Sequence, residues 1–538
     1  MSRRRALQAI LLAGPAFKYL PGFVSGQAMP GPVTGYRIQI DPAAGSAAQQ
    51  PGSLINGPFE GTRESLKNYE IPEWFRDAKF GIWAHWGPQS AIEAGDWYAR
   101  FMYMQGTTQH KDFISRFGPL TKTGYKDTIP AWKAERFDPN LLLTLYRKAG
   151  ARYFMTMGAH HDNFDLWNSK NPWNSVKMGP KLDIVQLFKD ATLKQGLKFA
   201  ISDHLWISPK WFSVSKGADK EGPFAGIPYD GADPRNASLY GNSAKVWTDL
   251  PWDETGISNT WKKEWFGRMK DLIDQYAPDM LYCDGHIPFE ELGLQTLAHL
   301  YNQSAAQNGG VTQAVYTSKR VEDSAVGTCV LDVERGVVDK IWPRPWQTDT
   351  CIGDWHYDRK RVGHYKTAKT IIDMLVDIVS KNGNLMLNFP LPASGMLDSE
   401  ELYVLDGISQ WMAVNSEGIY NSRPWKIYGT DPLKALTPAK SAFNEGERKD
   451  LTADSIRFTT RLGVLYAFFM GWPQSGHVVI KPLSTVSVQK AGRIDNIELL
   501  GHGKVEFSRD RDGLKIMLPA QKPGDFAFTL KITGIDLT

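Results

Sequence analysis

Short apolar segments alternate with amphipathic helical segments from residue 79 to residue 415, and this alternation constrains the fold more than any other feature. Each apolar segment is bounded by turn-forming or polar residues, which is typical of a strand buried on both faces. Strands that alternate with helices form right-handed βαβ units and a parallel sheet. We count about seven to eight strand–helix steps over roughly 340 residues, which predicts a (β/α)8-like (TIM) barrel.

The predicted strands of this barrel span residues 79–84, 151–157, 197–201, 279–283, 313–317, 329–333 and 384–389. The predicted helices span residues 138–148, 184–195, 261–276, 289–307, 367–381 and 398–415. Residues 207–258 are rich in Gly, Pro, Ser and Asp, which predicts a long loop on the pocket side of the barrel. The alternative, a doubly wound open sheet, needs a glycine-rich phosphate loop after the first strand, and the sequence has none there.

The pattern changes after about residue 430, where short strands follow one another between turn residues. This spacing predicts an antiparallel β-sandwich. A role as a structural support is favoured for it over carbohydrate binding. The predicted organisation is therefore a signal peptide at 1–28, a lead-in at 29–70 with a short strand at 36–40, a catalytic barrel at 71–428 and a sandwich at 429–538.

The N-terminus has the composition of an export signal. Arg3, Arg4 and Arg5 precede a mostly apolar stretch at 6–17, and small residues at 26–28 suit cleavage. The arginines also loosely resemble a twin-arginine signal, so the export route stays open. A periplasmic or secreted protein is expected. No later apolar run reaches the ~20 residues that span a bilayer, so no membrane association is expected once the signal is removed.

Charge and cysteine content exclude several classes of function. Four of the 62 basic residues lie in the first 28 positions, which contain no acid, so basic and acidic residues balance in the rest of the chain. This balance argues against a nucleic-acid partner. Cys283 lies in a buried strand, and a disulfide between Cys329 and Cys351 is left open. The chain has no CxxC pair, and we expect neither a metal nor a cofactor.

Two apolar runs end at a carboxylate that is followed by glycine, directly or one residue later. Residues 278–285 end in Asp284 and Gly285, and residues 331–336 contain Glu334. A carboxylate at the C-terminal end of a barrel strand faces the pocket. Two carboxylates about 5–5.5 Å apart serve a retaining glycosidase, one as nucleophile and the other as acid/base. We therefore predict Asp284 and Glu334 as the catalytic pair.

Other polar residues follow predicted strands and would converge on the same face: His85, His160, His161, Asp203 and His204. Imidazole nitrogens can donate to or accept from sugar hydroxyls. The chain also contains 19 Trp, 20 Tyr and 25 Phe. Flat rings stack on sugar C–H faces, although large aromatics mainly fill cores.

Several long motifs together resemble the family 29 α-L-fucosidases. They are the segments at 74–88, 96–100, 160–167, 173–175, 381–388, 411–420 and 423–425, and the resemblance covers roughly residues 70 to 425. It implies a retaining mechanism with Asp284 as nucleophile. The segment 333–336 together with 345–353 looks like the branch whose acid/base is the glutamate of Glu-Arg-Gly, which falls on Glu334.

The same resemblance implies the sugar contacts. His85, His160 and His161 would bind fucose, Trp97 would line the pocket, and Trp346 is predicted as a further contact. Many members have Glu-Trp where this chain has Asp96 and Trp97, and Tyr-Tyr-Ser where it has Ser-Asp-His at 202–204. Asp96, Asp203 and His204 are therefore predicted substrate contacts that depart from the family pattern.

The expected substrate is a fucosylated oligosaccharide or glycan, cleaved at a terminal α-L-fucosyl residue. An α-L-galactosidase with the same mechanism is an alternative, since the two sugars differ by one hydroxyl. A second alternative is a metal-dependent barrel hydrolase that uses His160, His161 and Asp284. A third alternative is an inactive glycan-binding module. The Glu-Arg-Gly branch often prefers α-1,3/1,4 fucose, but linkage, aglycone and oligomeric state stay open.

Overall fold

Eight parallel strands close into a barrel, each paired with its neighbour in chain order and the last with the first. A computed structural model of the chain describes residues 54–430, 442–448 and 450–538. The predicted export signal, the strand at 36–40 and most of the lead-in lie outside these residues. The barrel strands β1 to β8 are Phe80–Ala84, Tyr153–Ala159, Lys198–Asp203, Met280–Cys283, Val315–Ser318, Val330–Glu334, Trp346–Cys351 and Gly383–Asn388.

The TIM-like barrel predicted from the alternating pattern is confirmed, with two differences. The strand β7 was not predicted, because its Gln-Thr-Asp-Thr core is polar although every residue in it is buried. No α-helix lies between β6 and β7, a stretch that the structure describes throughout. That connection is a loop, and it carries the residues directly after Glu334.

Six of the longer helices around the barrel match the predicted boundaries to within two residues, whereas the helix Thr108–Phe117 and the shorter helices were not predicted. The longer α-helices are Thr108–Phe117, Pro139–Lys148, Ile184–Lys194, Asn259–Tyr276, Glu291–Gln307, Ala368–Ser380 and Ser399–Asn415, and the shorter ones are Arg63–Leu66, Glu73–Ala78, Tyr98–Phe101, Ser208–Trp211, Ala237–Tyr240 and Val321–Ala325. Asp138 caps its helix by accepting from the Leu141 amide at 3.0 Å, as its position before Pro139 predicts. Among the described residues, none of the helices combines the length and apolar character needed to cross a bilayer.

The C-terminal region forms two antiparallel sheets. Its strands β9 to β17 are Arg423–Thr430, Ile456–Arg461, Val464–Phe469, His477–Ile480, Arg493–Leu499, Gly503–Lys504, Phe507–Arg509, Leu514–Met517 and Phe528–Ile535. One sheet has the order β14-β13-β17-β11-β10-β9, and the other the order β12-β16-β15. Since β9 begins at Arg423 and pairs with β10, this region starts a few residues before the predicted boundary at 428/429.

The described part of the lead-in packs on the helix Glu291–Gln307. Asn302 donates to the carbonyl oxygens of Ile55 and Phe59, and the ring of Tyr69 stacks on Tyr301 with centroids 4.3 Å apart. The three cysteines are buried free thiols, so Cys329 and Cys351 are not joined.

A buried ion cluster joins the barrel to the C-terminal sheets. Asp377, on the helix Ala368–Ser380, accepts from Lys381 Nζ at 3.1 Å and from Arg457 Nε of β10 at 2.6 Å. Burial alone would raise the pKa of Asp377, but Lys381, Arg457 and Arg448 hold it far below its ordinary value. The carboxylate therefore stays charged and neutralises cations from both regions.

We expect Asp377→Asn to lower the free energy of unfolding by about 3–5 kcal/mol, because it leaves buried cations without their counter-charge. Since the folded pKa is depressed, the loss is complete at pH 7 and shrinks only as pH falls below about 4. Urea unfolding followed by tryptophan fluorescence measures it. Asp495→Asn, which removes an exposed ion pair with Arg493, is the control and should leave the midpoint unchanged. Equal stability of the two variants would contradict this role.

Candidate active site

One cavity of about 810 Å³ opens at the C-terminal ends of the barrel strands. Parallel strands in a closed barrel bring their C-terminal ends to one face, so residues far apart in sequence meet there. Seven of the polar side chains that line it lie at or just after the C-terminal ends of β1 to β6: His85, His160, His161, His204, Asp284, Lys319 and Glu334. The face that the sequence predicted as the site is therefore a pocket.

Asp284 and Glu334 meet on the ammonium of Lys319, which directly follows β5. Lys319 Nζ lies 2.6 Å from Asp284 Oδ1 and also donates to Glu334 Oε2. Two hydrogen bonds to one nitrogen hold the two acceptor oxygens within about 6 Å of each other. That separation is compatible with the spacing of a retaining glycosidase.

The backbone around Asp284 is fixed on both sides. Its carbonyl oxygen accepts from Trp206 Nε1 at 2.6 Å. Gly285 follows at φ 122°, where a side chain is strained, and a Cβ there would stand 3.2 Å from Trp206 Nε1. The Asp-Gly pair seen in the sequence thus lets the chain turn against Trp206 and aims the carboxylate into the cavity.

The two carboxyls are held at different protonation states. Burial would raise the pKa of Asp284, but Lys319 and His161 hold it well below its ordinary value. Burial raises the pKa of Glu334 to about 7, with Asp349 and Asp284 adding to it and Lys319 opposing. Near neutral pH Asp284 is therefore ionised while much of Glu334 keeps its proton, which is the division of labour that a nucleophile and an acid require.

Two more carboxyls lie beneath this pair, in the barrel interior. Asp349 Oδ2 accepts from Tyr282 Oη at 2.7 Å and lies 4.0 Å from Lys319 Nζ. Asp332 Oδ1 accepts from Gln347 Nε2 at 2.9 Å. Burial and the neighbouring Asp349 raise the pKa of Asp332 well above its ordinary value, so Asp332 is neutral.

His85 and His160 have opposite tautomers. Asn388 uses its amide nitrogen on the carbonyls of Asp354 and Trp355, so its oxygen accepts from His85 Nδ1 at 3.1 Å. Gln89 donates from Nε2 to His160 Nδ1 at 2.9 Å. Burial lowers the pKa of both imidazoles well below 6.5, so both are neutral. His85 Nε2 is thus an acceptor and His160 Nε2 a donor, a pair that suits sugar hydroxyls.

His161 and His204 complete the imidazole wall. His161 Nδ1 donates to the His204 carbonyl at 2.6 Å, and His161 Nε2 lies 3.3 Å from Asp284 Oδ2. The ring of His204 lies 4.8 Å from that of His160, and burial lowers its pKa to about 3. Both rings line the cavity together with Asp284.

Asp96 and Trp97 enter from the loop after β1. Asp96 Oδ1 lies 2.6 Å from Nδ1 of His356, a buried residue of the loop after β7, and 3.9 Å from His160 Nε2. Trp97 has φ 58°, a strained conformation of the kind found where function requires it. Its ring centroid is 5.9 Å from those of His161 and Trp252.

Eight of the ten predicted site residues line this one cavity: His85, Asp96, Trp97, His160, His161, His204, Asp284 and Glu334. The other two predicted residues, Asp203 and Trp346, do not line it. Asp203 points away from the cavity, toward Trp265 Nε1 at 2.7 Å and the Leu205 amide. Trp346 is fully buried in β7 and donates to the Lys381 carbonyl at 3.0 Å, toward the helix layer.

Sequence reasoning missed Lys319, Tyr282, Asp349 and His356. Lys319 follows β5 directly and could have been found by the rule that selected the histidines, namely a polar residue at a strand end. Tyr282 and Asp349 lie inside β4 and β7, where only the alternation of side chains between barrel interior and helix layer separates them from core residues. No sequence pattern around His356 identifies it as a site residue.

Among the residues that the structure describes, two groups of side chains are close enough to hold a metal ion: His85, His160 and His204, and Asp96, His160 and His356. His160 belongs to both, and it already uses Nδ1 to accept from Gln89, so its Nε2 carries a hydrogen. A ligand nitrogen must offer a lone pair instead. This donor set therefore matches hydroxyl groups better than a cation.

A β/α barrel that brings two carboxylates to one ammonium, beside neutral imidazoles and tryptophans, is the arrangement of a glycoside hydrolase. The sequence profile described as Alpha-L-fucosidase matches residues 46–417, and that described as Alpha-L-fucosidase C-terminal domain matches residues 448–533. The chain therefore belongs to the α-L-fucosidase family, whose members act on fucosylated substrates. The family resemblance seen in the motifs is confirmed.

Known relatives agree with this assignment. Human tissue alpha-L-fucosidase is 26% identical over 493 residues, covering 88% of this chain and 91% of the relative. The Thermotoga maritima alpha-fucosidase in complex with fucose has a TM-score of 0.67 at 22% identity, over 88% of this chain and 100% of that one. A Bacteroides thetaiotaomicron GH29 alpha-L-fucosidase, trapped as a covalent intermediate, has a TM-score of 0.58 at 16% identity, over 89% and 98%. The two solved structures share this fold.

We expect Lys319→Met to lower the free energy of unfolding by about 3–5 kcal/mol at pH 8, because the clustered carboxylates lose their cation. Without Lys319 the folded pKa values of these carboxyls rise, and a group with a raised folded pKa loses stability as pH rises above its unfolded value. The deficit should therefore be smaller at pH 5. Urea unfolding at the two pH values measures it.

The matched control for Lys319→Met is Lys262→Met, whose Nζ lies 3.4 Å from Glu254 with both side chains about a quarter exposed. This variant should lose little stability at either pH. A Lys319→Met deficit that is the same at pH 5 and pH 8 would show that the side chain contributes packing rather than charge.

Proposed function

We propose that this protein is a retaining exo-α-L-fucosidase that removes terminal α-L-fucosyl residues from oligosaccharides or glycans through a fucosyl-Asp284 intermediate. The observation that carries the proposal is the contact of Asp284 and Glu334 with the single ammonium of Lys319. This contact supports the proposal because it keeps an ionised and a protonatable carboxyl within about 6 Å of each other, which is compatible with the separation that double displacement uses.

In the first step, an oxygen of Asp284 forms a bond to the anomeric carbon as the bond from that carbon to the leaving oxygen breaks. The leaving oxygen keeps the bonding electrons and takes the proton of Glu334. In the second step, the Glu334 carboxylate removes a proton from water, and the water oxygen bonds to the anomeric carbon as the bond from that carbon to the Asp284 oxygen breaks. The bonding electrons restore the Asp284 carboxylate, and the two inversions together retain the configuration.

Sugar recognition would rest on the imidazole wall and the aromatic floor. His85 accepts from one hydroxyl and His160 donates to another, while Trp97 offers a ring face. Trp83 and Tyr282 close the barrel side of the cavity, which favours a chain end over the middle of a polysaccharide. The fucose-bound Thermotoga enzyme and the trapped intermediate of the Bacteroides enzyme support the same sugar and the same two-step reaction.

L-galactose is the competing sugar, since it adds one hydroxyl to L-fucose. An apolar wall rejects an added hydroxyl by about a hundredfold only. Comparing kcat/KM for aryl α-L-fucoside and aryl α-L-galactoside decides between them. A preference for the galactoside would overturn the fucose assignment and leave the mechanism intact.

We expect Asp284→Ala to abolish nearly all turnover of an aryl α-L-fucoside, and azide to restore it by occupying the space of the lost carboxylate. The product should be the β-fucosyl azide, because a single displacement inverts the configuration. Proton NMR of the product measures this. Glu334→Ala is the matched variant, and azide should give the α-configured product there, because the fucosyl-Asp284 ester still forms. If Asp284→Ala gives the α-configured azide instead, Asp284 is not the nucleophile.

The pH dependence of kcat/KM should follow the ionisation of Glu334. Its proton is needed in the first step and its pKa is about 7, so kcat/KM should fall as pH rises through about 7. Because Asp349 raises this pKa, Asp349→Asn should move the alkaline limb to lower pH. Initial rates with an α-L-fucoside that has a poor leaving group measure the limb. A limb that stays in place or moves upward would show that Asp349 does not set the acidity of Glu334.

A further inference from the structure

A segment of the C-terminal region runs along the mouth of the barrel beside the acid/base residue. We call residues 442–448, between β9 and β10, the mouth segment. The Phe443 amide donates to the Glu334 carbonyl at 2.8 Å, and the Glu445 amide donates to the Arg335 carbonyl at 3.0 Å. Asn444 exchanges hydrogen bonds of 3.0 Å with the backbone of Val337. The segment is thus joined to the loop that carries Glu334.

Glu445 fixes the mouth segment from its side chain as well. Its Oε1 accepts from Arg335 Nε at 2.7 Å and from Lys366 Nζ at 3.2 Å, and its Oε2 accepts from Thr350 at 2.6 Å. Burial would raise the pKa of Glu445, but Lys366, Thr350 and Arg335 together hold it below its ordinary value. The backbone on which Phe443 stands is therefore held in place.

Phe443 is not part of a core. Its side chain is 65% exposed, yet it lines the same cavity as Asp284 and Glu334. Isolated exposed apolar side chains are common on protein surfaces. This one differs because its backbone is in the left-handed region, at φ 56°, as is that of Arg335 at φ 45°. Strained residues next to a catalytic group persist where function requires them.

The proposed reaction identifies the side of the cavity next to Phe443 as the side of the leaving group. The acid/base group protonates the leaving oxygen, so the leaving group must lie next to Glu334. Phe443, Arg335 and Arg320 line the cavity and are connected to Glu334. The Phe443 amide donates to the Glu334 carbonyl, Arg335 follows Glu334 in the chain, and Arg320 follows Lys319, which contacts Glu334. Trp252 lies instead near Trp97 and His161, with centroids 5.9 and 5.7 Å away, where the terminal sugar would bind.

Building on the proposed function, we propose that Phe443 is the platform for the leaving-group sugar, contributed to the active site by the C-terminal region. Its exposed ring packs against the C–H face of the pyranose to which fucose is attached. Arg335 and Arg320 provide donors for the hydroxyls of that pyranose. The ligand class is a neutral saccharide whose free hydroxyl forms once fucose is released.

The test compares Phe443→Ala with wild type on two substrates. One is the fucosyl disaccharide that wild type cleaves fastest among α-1,2, α-1,3, α-1,4 and α-1,6 linkages. The other is α-L-fucosyl fluoride, whose leaving group is too small to reach Phe443. We expect kcat/KM for the disaccharide to fall about tenfold, mainly through KM, with the fluoride unchanged. Phe443→Trp should keep wild-type rates on both.

A second measurement uses inhibition. The fucose-free saccharide should inhibit fluoride hydrolysis by wild type and should lose this effect in Phe443→Ala. Tyr403→Ala, which removes an exposed ring on the helix Ser399–Asn415, is the control and should behave as wild type in both assays.

Equal losses on disaccharide and fluoride would show that Phe443 only supports the Glu334 loop, and would overturn the platform. Unchanged rates on both substrates would overturn it as well. If wild type and Phe443→Ala both hydrolyse the fluoride, the proposed activity is present, and the disaccharide result then tests the platform alone. A wild type that cleaves neither substrate would overturn the proposed function and the platform with it.

Discussion

The ammonium of Lys319 is the contact on which the site depends. Asp284 and Glu334 are both only partly exposed, and two carboxylates within hydrogen-bonding distance of one point repel each other when ionised. The nearby Asp349 adds to the repulsion. One cation bonded to both carboxyls makes the arrangement tolerable. In the proposed reaction, negative charge passes from Asp284 to Glu334 in the first step and returns in the second. A cation that contacts both residues sees nearly the same total charge throughout, so it needs no rearrangement.

In the proposed binding of fucose, the side chains that face the sugar owe their hydrogen-bonding character to residues that do not contact it. Asn388 at the end of β8 and Gln89 after β1 set the opposite tautomers of His85 and His160. His356 holds Asp96 through a 2.6 Å contact. Neutral imidazoles with fixed hydrogens read hydroxyl groups by direction, which protonated rings cannot do, because both of their nitrogens donate. Burial, which keeps these rings neutral, is therefore part of recognition.

Sequence patterns predicted the barrel because buried strands and amphipathic helices leave local signatures, and they predicted Asp284 and Glu334 because both end such strands. Sequence patterns did not predict the elements that lack such a local signature. The strand β7 is buried yet polar, since Gln347 and Asp349 face other polar groups inside the barrel. Asp203 lies at the C-terminal end of β3 as expected, whereas Trp346 is the first residue of the unpredicted strand β7, and both side chains point to the helix layer. Pairwise contacts such as Lys319 with Glu334 become visible only once the chain has folded.

The sequence predicted that the C-terminal region is a structural support, and its contacts with the loop after Glu334 give it a second role. The Asp377 cluster anchors β10 to the barrel helix that precedes β8. From that anchored region the mouth segment reaches the residues directly after Glu334, in the one barrel connection where no helix restrains the chain. A loop without a helix needs another source of rigidity if it is to carry an acid whose position must hold to within a fraction of an ångström. Glu445, buried against Arg335 and Lys366, supplies that rigidity from outside the barrel.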